Sequence, residues 1–167
     1  MLKRLRPILL AALALLMAVP CGCDKLDDDR IPLMPVYIAF ETAADWDVYG
    51  VAGALSSKEF IKDKRLPRNY PYTALSQTGF GGVLLLTDVL GSPAAYDLAC
   101  PVERNRQFLV EVDPDDEYLA VCHECGSKYN VFSLRGHPVE GPAARHGYAL
   151  RPYSVGKRGN SFMVVGN

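Results

Sequence analysis

The chain has 167 residues, of which 49% are hydrophobic and 22% charged, and its formal net charge is −1. This near-average composition excludes a collagen-like, coiled-coil or intrinsically disordered chain, because each of these needs a strong compositional bias. The 18 basic side chains are balanced by 19 acidic ones and form no basic stripe, so nucleic acid is not expected as a partner.

The first 22 residues have the pattern of an export signal. Lys3, Arg4 and Arg6 form a basic start, and an unbroken apolar run follows from Ile8 to Val19. This run is short for a membrane span but suits the core of a signal peptide. We therefore predict a signal peptide over residues 1–22, whose removal would change the net charge from −1 to −4.

The end of this signal resembles the lipobox of bacterial lipoproteins, in which a cysteine becomes the acylated first residue of the mature chain. Cys23 follows the small residue Gly22, whereas Cys21 follows Pro20. Because small residues favour cleavage, Cys23 is the predicted lipidation site and Cys21 is the alternative. The resemblance implies that the mature chain is attached to a membrane by lipid and does not span it.

An acidic stretch follows the predicted lipidation site. Residues 24–30 read DKLDDDR, which resembles the sorting signal of lipoproteins carried to the outer membrane in some Gram-negative groups. Such charge runs are also typical of a solvated tether. We predict an acidic tether over residues 23–35. The predicted location is the outer membrane of the cell envelope, on either its periplasmic or its outer face. A protein partner in the envelope is possible, and the sequence does not identify one.

The rest of the chain, residues 36–167, is predicted to form one all-β domain. Short β-branched and aromatic runs alternate with Gly and Pro turns, which is typical of a small β-sandwich or barrel. The predicted strands cover residues 36–40, 47–54, 83–87, 95–98, 107–112, 118–121, 129–132, 147–155 and 161–165. A short helix is predicted only for residues 57–63, and an irregular loop for the proline-containing residues 66–72.

Three cysteines lie in two loops of this domain. Cys100 directly follows a predicted strand, and the sequence CHEC, from Cys122 to Cys125, follows the next hairpin. Thiolate and imidazole are preferred ligands of zinc, so one interpretation is a three-cysteine metal site completed by His123 or Glu103. Export places these thiols where disulfides persist, so a metal-free state with a disulfide or free thiols is the other interpretation.

The same two loops resemble the cluster loops of Rieske [2Fe–2S] domains. GVLLL at residues 82–86 and AYDLACP at residues 95–101 look like the approach to the first loop, and CHECGSKYNVF at residues 122–132 looks like the second. The resemblance extends over about residues 79–165 and implies a small β-sandwich or barrel with two ligand-bearing loops facing each other. A Rieske centre holds one iron with two cysteines and the other with two histidines, one of each from each loop.

The ligand set that the resemblance implies is altered in this chain. Cys100 and Cys122 take the two cysteine positions, whereas Val102 and Cys125 take the two histidine positions. Three states remain open: a [2Fe–2S] cluster with a non-standard fourth ligand, a zinc ion, or no metal, with Cys100 free to bridge to either cysteine of the second loop. They correspond to an electron carrier, a zinc-stapled domain, and a binding or structural module with an altered cluster site. The module is the preferred interpretation.

An enzymatic function is not predicted. The sequence has no Gly-Lys-Ser/Thr phosphate loop, no Gly-x-Ser-x-Gly elbow and no visible nucleophile–base pair. The chemistry-bearing residues are therefore the three cysteines and their neighbours.

Overall fold

The computed structural model describes residues 26–116 and 118–166. The predicted signal peptide and both candidate lipidation sites, Cys21 and Cys23, lie outside the described residues. The structure is mostly β, with 38% strand and 9% helix, which confirms the all-β prediction. In the described ranges, the helices are too short or too polar to cross a bilayer.

Two antiparallel sheets make up the domain. The larger sheet has the order β2-β4-β5-β10-β11-β1-β3 and the smaller one the order β6-β7-β8-β9. The strands of the larger sheet are β1 (Val36–Phe40), β2 (Ser57–Phe60), β3 (Gln77–Thr78), β4 (Val83–Thr87), β5 (Pro93–Asp97), β10 (Pro152–Arg158) and β11 (Ser161–Val165). The strands of the smaller sheet are β6 (Val110–Val112), β7 (Leu119–Cys122), β8 (Lys128–Asn130) and β9 (His137–Glu140), and the helices are α1 (Ala43–Tyr49) and α2 (Gly141–His146).

Strand β4 separates two hydrophobic cores. All five of its residues are buried, because it lies between β2 and β5 in the curled sheet. Side chains alternate across a strand, so Val83 and Leu85 pack into one core while Leu84 and Leu86 pack into the other. The second of these cores also contains Cys100 and Cys122, and Cys125 packs against it.

The strand predicted over residues 47–54 is wrong, because helix α1 includes residues 47–49 and residues 50–54 form no strand. Thr42 and Asp45 form a capping box, in which the Asp45 N–H donates to Thr42 Oγ1 at 3.1 Å and the Thr42 N–H donates to the Asp45 carboxylate at 3.0 Å. Trp46 stacks on Phe162 with ring centroids 4.2 Å apart. The cap and this packing outweigh the weaker β-propensity of the segment.

Residues 57–63 begin with strand β2 and not with the predicted helix. Lys58 and Phe60 of β2 are paired with residues of β4 in an antiparallel register. The sheet partner decides the conformation here, because four residues alone have no strong preference between helix and strand. The irregular loop predicted over residues 66–72 is confirmed.

Part of the segment predicted as an acidic tether is packed against the domain. The Asp27 N–H donates to the Gly147 carbonyl at 2.8 Å, and Ile31 is buried. Arg151 pairs with the exposed Asp29 at 2.9 Å. The described residues that precede β1 therefore contribute to the folded structure.

Candidate metal centre

The two cysteine loops meet where the large sheet passes into the small one. Cys100 lies just beyond the end of β5, whereas Cys122 is the last residue of β7. Ala99 forms a bridge with Leu109, and the next residue, Val110, pairs with Cys122. Residues Leu109 and Val110 thus pair with the residue before Cys100 and with Cys122 itself, which brings these two cysteines close together.

The sulfur atoms of the three cysteines converge. The Sγ atoms of Cys100, Cys122 and Cys125 all lie within 4.8 Å of one another, and those of Cys100 and Cys125 are 3.6 Å apart. Cys100 and Cys122 are buried, Cys125 is partly exposed, and all three are free thiols. Three thiols at this spacing can bind a metal ion.

A buried carboxylate holds the backbone that leads into the first loop. Asp97 is fully buried, and it accepts hydrogen bonds from the N–H groups of Gly81 at 3.0 Å and Ala99 at 2.7 Å and from the Tyr153 hydroxyl. Burial raises the pKa of Asp97, and these hydrogen bonds oppose that rise. The sequence analysis missed Asp97, since a lone acidic residue at a strand end does not show that it is buried.

The second loop is a tight hydrogen-bonded turn. The Gly126 N–H donates to the Cys122 carbonyl at 2.8 Å, and the Cys122 N–H donates to the Ser127 carbonyl at 2.9 Å. Gly126 has a φ of +67°, a conformation that glycine adopts readily. Gly141 lies against the turn, where a Cβ atom would come within 2.8 Å of the Ser127 Cα. This geometry fixes the direction of the Cys125 side chain.

Two hydroxyl groups lie within hydrogen-bond distance of the sulfurs. The Tyr129 hydroxyl is 3.5 Å from Cys100 Sγ, and Ser127 Oγ is 3.2 Å from Cys125 Sγ. Ser127 Oγ accepts hydrogen bonds from the Cys125 thiol and from the Ala143 N–H, the latter at 3.1 Å. Such outer contacts orient thiolate ligands and offset their charge.

The pKa values of the two buried thiols shift in opposite directions. A hydrogen bond from the Cys122 thiol, assisted by the Tyr129 hydroxyl, holds the pKa of Cys100 well below its usual range. The same contact with Cys100, together with burial, raises the pKa of Cys122, and burial also raises the pKa of Tyr129. A metal ion that binds both sulfurs must therefore displace the Cys122 proton.

The two residues predicted as alternative fourth ligands do not join the three cysteines. The His123 imidazole lies 3.7 Å from the Glu111 carboxylate, and both side chains are largely exposed. Among residues 26–116 and 118–166, the group of metal-binding side chains at this site consists of the three cysteines, without His123 or Glu103. Val102 packs against the surrounding hydrophobic cluster.

The segment before β1 also supports the first cysteine loop. Arg30 Nε donates to the Pro101 carbonyl at 3.3 Å, and Arg104 Nε donates to the Arg30 carbonyl at 3.2 Å. The Arg30 guanidinium lies over the Tyr148 ring, 3.8 Å from its centroid. The sequence carries no signal for these contacts, because Arg30 and Pro101 are 71 positions apart.

The structure therefore brings together all three cysteines that the sequence analysis singled out in the domain, in a group that can bind metal. Comparison with family models finds none that matches this chain, and comparison with curated proteins finds no match either.

Proposed function

We propose that this protein is a lipid-anchored structural or binding module of the cell envelope. In this proposal its Rieske-like β domain holds a single metal ion through Cys100, Cys122 and Cys125 in place of a [2Fe–2S] cluster. Zinc is the proposed metal, because thiolate is among its preferred ligands and it needs no redox partner.

The spacing of the sulfur atoms carries this proposal. Zinc–sulfur bonds of about 2.3 Å in a tetrahedral site put neighbouring sulfurs about 3.8 Å apart. The Cys100 and Cys125 sulfurs are 3.6 Å apart, and all three sulfurs lie within 4.8 Å of one another. A single ion can therefore reach all three with little movement of the loops, with a water molecule as the expected fourth ligand.

A [2Fe–2S] cluster suits this arrangement less well. The ligands of such a cluster are divided between two irons, whereas the three sulfurs here surround one point. Val102 offers no donor at the position of the first Rieske histidine. An electron carrier with a cluster is thus the second candidate, favoured by the order of the loop residues alone.

The role of the metal would be to join the two sheets. Cys100 extends from β5 of the large sheet, while Cys122 and Cys125 belong to the β7–β8 turn of the small sheet. A bound ion would join the two loops through three coordinate bonds. Because the complete site exists only in the folded chain, its binding energy contributes to folding.

Metal analysis of the full-length protein, purified in detergent without oxygen, tests this function. We expect about one zinc per chain, since the three cysteines form one group and supply three of the four ligands of a single tetrahedral centre. Cys125→Ala should lose the zinc, and the matched surface variant His123→Ala should retain it. Iron and sulfide at about two atoms each per chain would replace the proposal with the electron carrier. Metal-free protein with fewer than three titratable domain thiols would show that a disulfide has taken the place of the metal.

The lipid anchor would keep this site close to the membrane. Arg30 contacts the first cysteine loop through Pro101, and Cys23 lies seven positions before Arg30. Seven residues of fully extended chain span at most about 25 Å. In the anchored protein, the cysteine site would therefore lie no farther than a few nanometres from the bilayer surface.

The anchor is tested by fatty-acid labelling of cells that express the full-length chain. We expect Cys23→Ala to abolish lipid incorporation and to move the protein out of the membrane fraction, because acyl chains supply the membrane affinity. Cys21→Ala is the matched control and should leave labelling unchanged. Loss of labelling in Cys21→Ala but not in Cys23→Ala would make Cys21 the lipidated residue. A parent chain that incorporates no fatty acid would remove the anchor from the proposal.

A further inference from the structure

We propose further that the three-cysteine site takes trivalent arsenic, supplied as arsenous acid, in a three-coordinate thiolate complex. This inference rests on the proposed metal site and names a second class of ligand for it. Four features of the site support it: the number of donors, their spacing, their burial and the access to them.

The number of donors matches a three-coordinate ion better than a four-coordinate one. Within the described chain, the group of convergent metal-binding side chains contains three thiols and no fourth member. Zinc needs a fourth ligand from outside this group to complete its tetrahedron. Trivalent arsenic forms three bonds in a pyramid and keeps a lone pair at the fourth corner. Three sulfurs alone therefore satisfy it.

The spacing of the sulfurs suits such a pyramid. With metal–sulfur bonds of about 2.3 Å, as in thiolate sites generally, and bond angles near 100°, the sulfurs are about 3.5 Å apart. The Cys100 and Cys125 sulfurs are separated by 3.6 Å. The lone pair of arsenic needs no polar partner, and Val102 is part of the apolar surroundings of the site.

Burial favours a complex without charge. Cys100 and Cys122 both have a relative exposure of 0%, and all three cysteines belong to or pack against one hydrophobic cluster. Three thiolates around zinc leave a net charge of −1, whereas three thiolates around trivalent arsenic are neutral. A neutral group avoids the desolvation cost that a charged one incurs in an apolar interior.

The reaction needs neither an oxidant nor a reductant. One arsenous acid molecule, As(OH)₃, condenses with three cysteine thiols, so that three As–O bonds break and three As–S bonds form. Each hydroxyl leaves with one thiol proton as water, and arsenic stays trivalent throughout. The partly exposed Cys125 is the accessible sulfur for the first exchange, and the two buried sulfurs complete the complex.

Arsenite binding to the reduced full-length chain carrying Cys21→Ser and Cys23→Ser tests this inference. In this background the three domain cysteines are the only thiols. We expect one arsenic per chain, loss of all three titratable thiols, and affinity reduced about 100-fold by Cys125→Ala, because a lost chelating arm loses its high effective concentration. Consumption of only two thiols, or unchanged affinity in Cys125→Ala, would overturn the three-coordinate complex.

The variant Val102→His separates arsenic from zinc at the same site. An added imidazole supplies a fourth donor, so we expect zinc affinity to rise about tenfold or more while arsenite affinity stays within about twofold, because arsenic does not use a fourth donor. Equal changes in both affinities would contradict the inference. Zinc binding without arsenite binding in the parent chain would refute this inference alone, and binding of neither would refute the proposed metal site as well.

Discussion

The double variant Val102→His, Cys125→His is expected to assemble a red-brown [2Fe–2S] cluster in cells that make such clusters. The two substitutions give each loop one cysteine and one histidine, which is the ligand set of a Rieske centre. Cys100 and Cys122 already lie together at the junction of the two sheets. A histidine side chain is longer than that of cysteine or valine, so two imidazoles can reach a second iron beyond the sulfurs.

Metal analysis and visible absorption measure this result. We expect iron and sulfide at about two atoms each per chain, with charge-transfer bands from both thiolate and imidazole ligands. The single variant Cys125→His is the matched control and should not assemble a stable cluster, because the first loop still lacks its histidine. A folded but colourless double variant would show that the loops do not have the Rieske arrangement, and the proposed resemblance would then fail.

Removal of the proposed metal is expected to lower the melting temperature of the protein by about 10 °C. A ligand that binds only the folded state at 1,000 times its dissociation constant stabilises it by about 4 kcal/mol, and each kcal/mol corresponds to roughly 2–4 °C for a domain of this size. The effect should be large here because the three sulfurs come from both sheets. Thermal unfolding with and without a strong chelator, under reducing conditions, measures it.

The variant Cys125→Ala supplies the control for this experiment. Cys125 is partly exposed, so its truncation should cost little packing energy. We expect the variant protein to melt at about the temperature of the chelator-treated parent protein, and the chelator to leave the variant's melting temperature unchanged. Metal-containing parent protein that melts at the same temperature with and without chelator would contradict a structural role of the metal.

Acid should lower the melting temperature of the metal-containing protein as the chelator does, since protons compete with metal for the thiolates.

Local pattern predicted much of the sheet framework. Strands β1, β4 and β11 have the predicted bounds, because each is a run of β-branched, aromatic or aliphatic residues next to turn residues. The errors fall where a short segment has no strong local preference. Helix α1 depends on the capping box of Thr42 and Asp45 and on the stacking of Trp46 on Phe162, and Phe162 is far away in the sequence.

The candidate site also has features that could be predicted from the sequence and features that could not. The identity of the three cysteines and their placement in two loops were readable from residue type and spacing. Their mutual distance was not, because it depends on the pairing of Val110 with Cys122 and on the bridge from Ala99 to Leu109. The exclusion of His123 and Glu103 from the cysteine group also required the directions of side chains, which a sequence spacing does not define.

The all-β class, the positions of the two cysteine loops and the residue types at the candidate site could be read from the sequence alone. These properties follow from local propensity and from the donor atoms that each side chain carries. Three features appear only in the folded structure: the three sulfurs lie within 4.8 Å of one another, Asp97 is buried beside the first loop, and Arg30 and Arg151 hold the segment before β1 against the domain. Each of these depends on contacts between residues distant in the chain, which form only when the two sheets pack together.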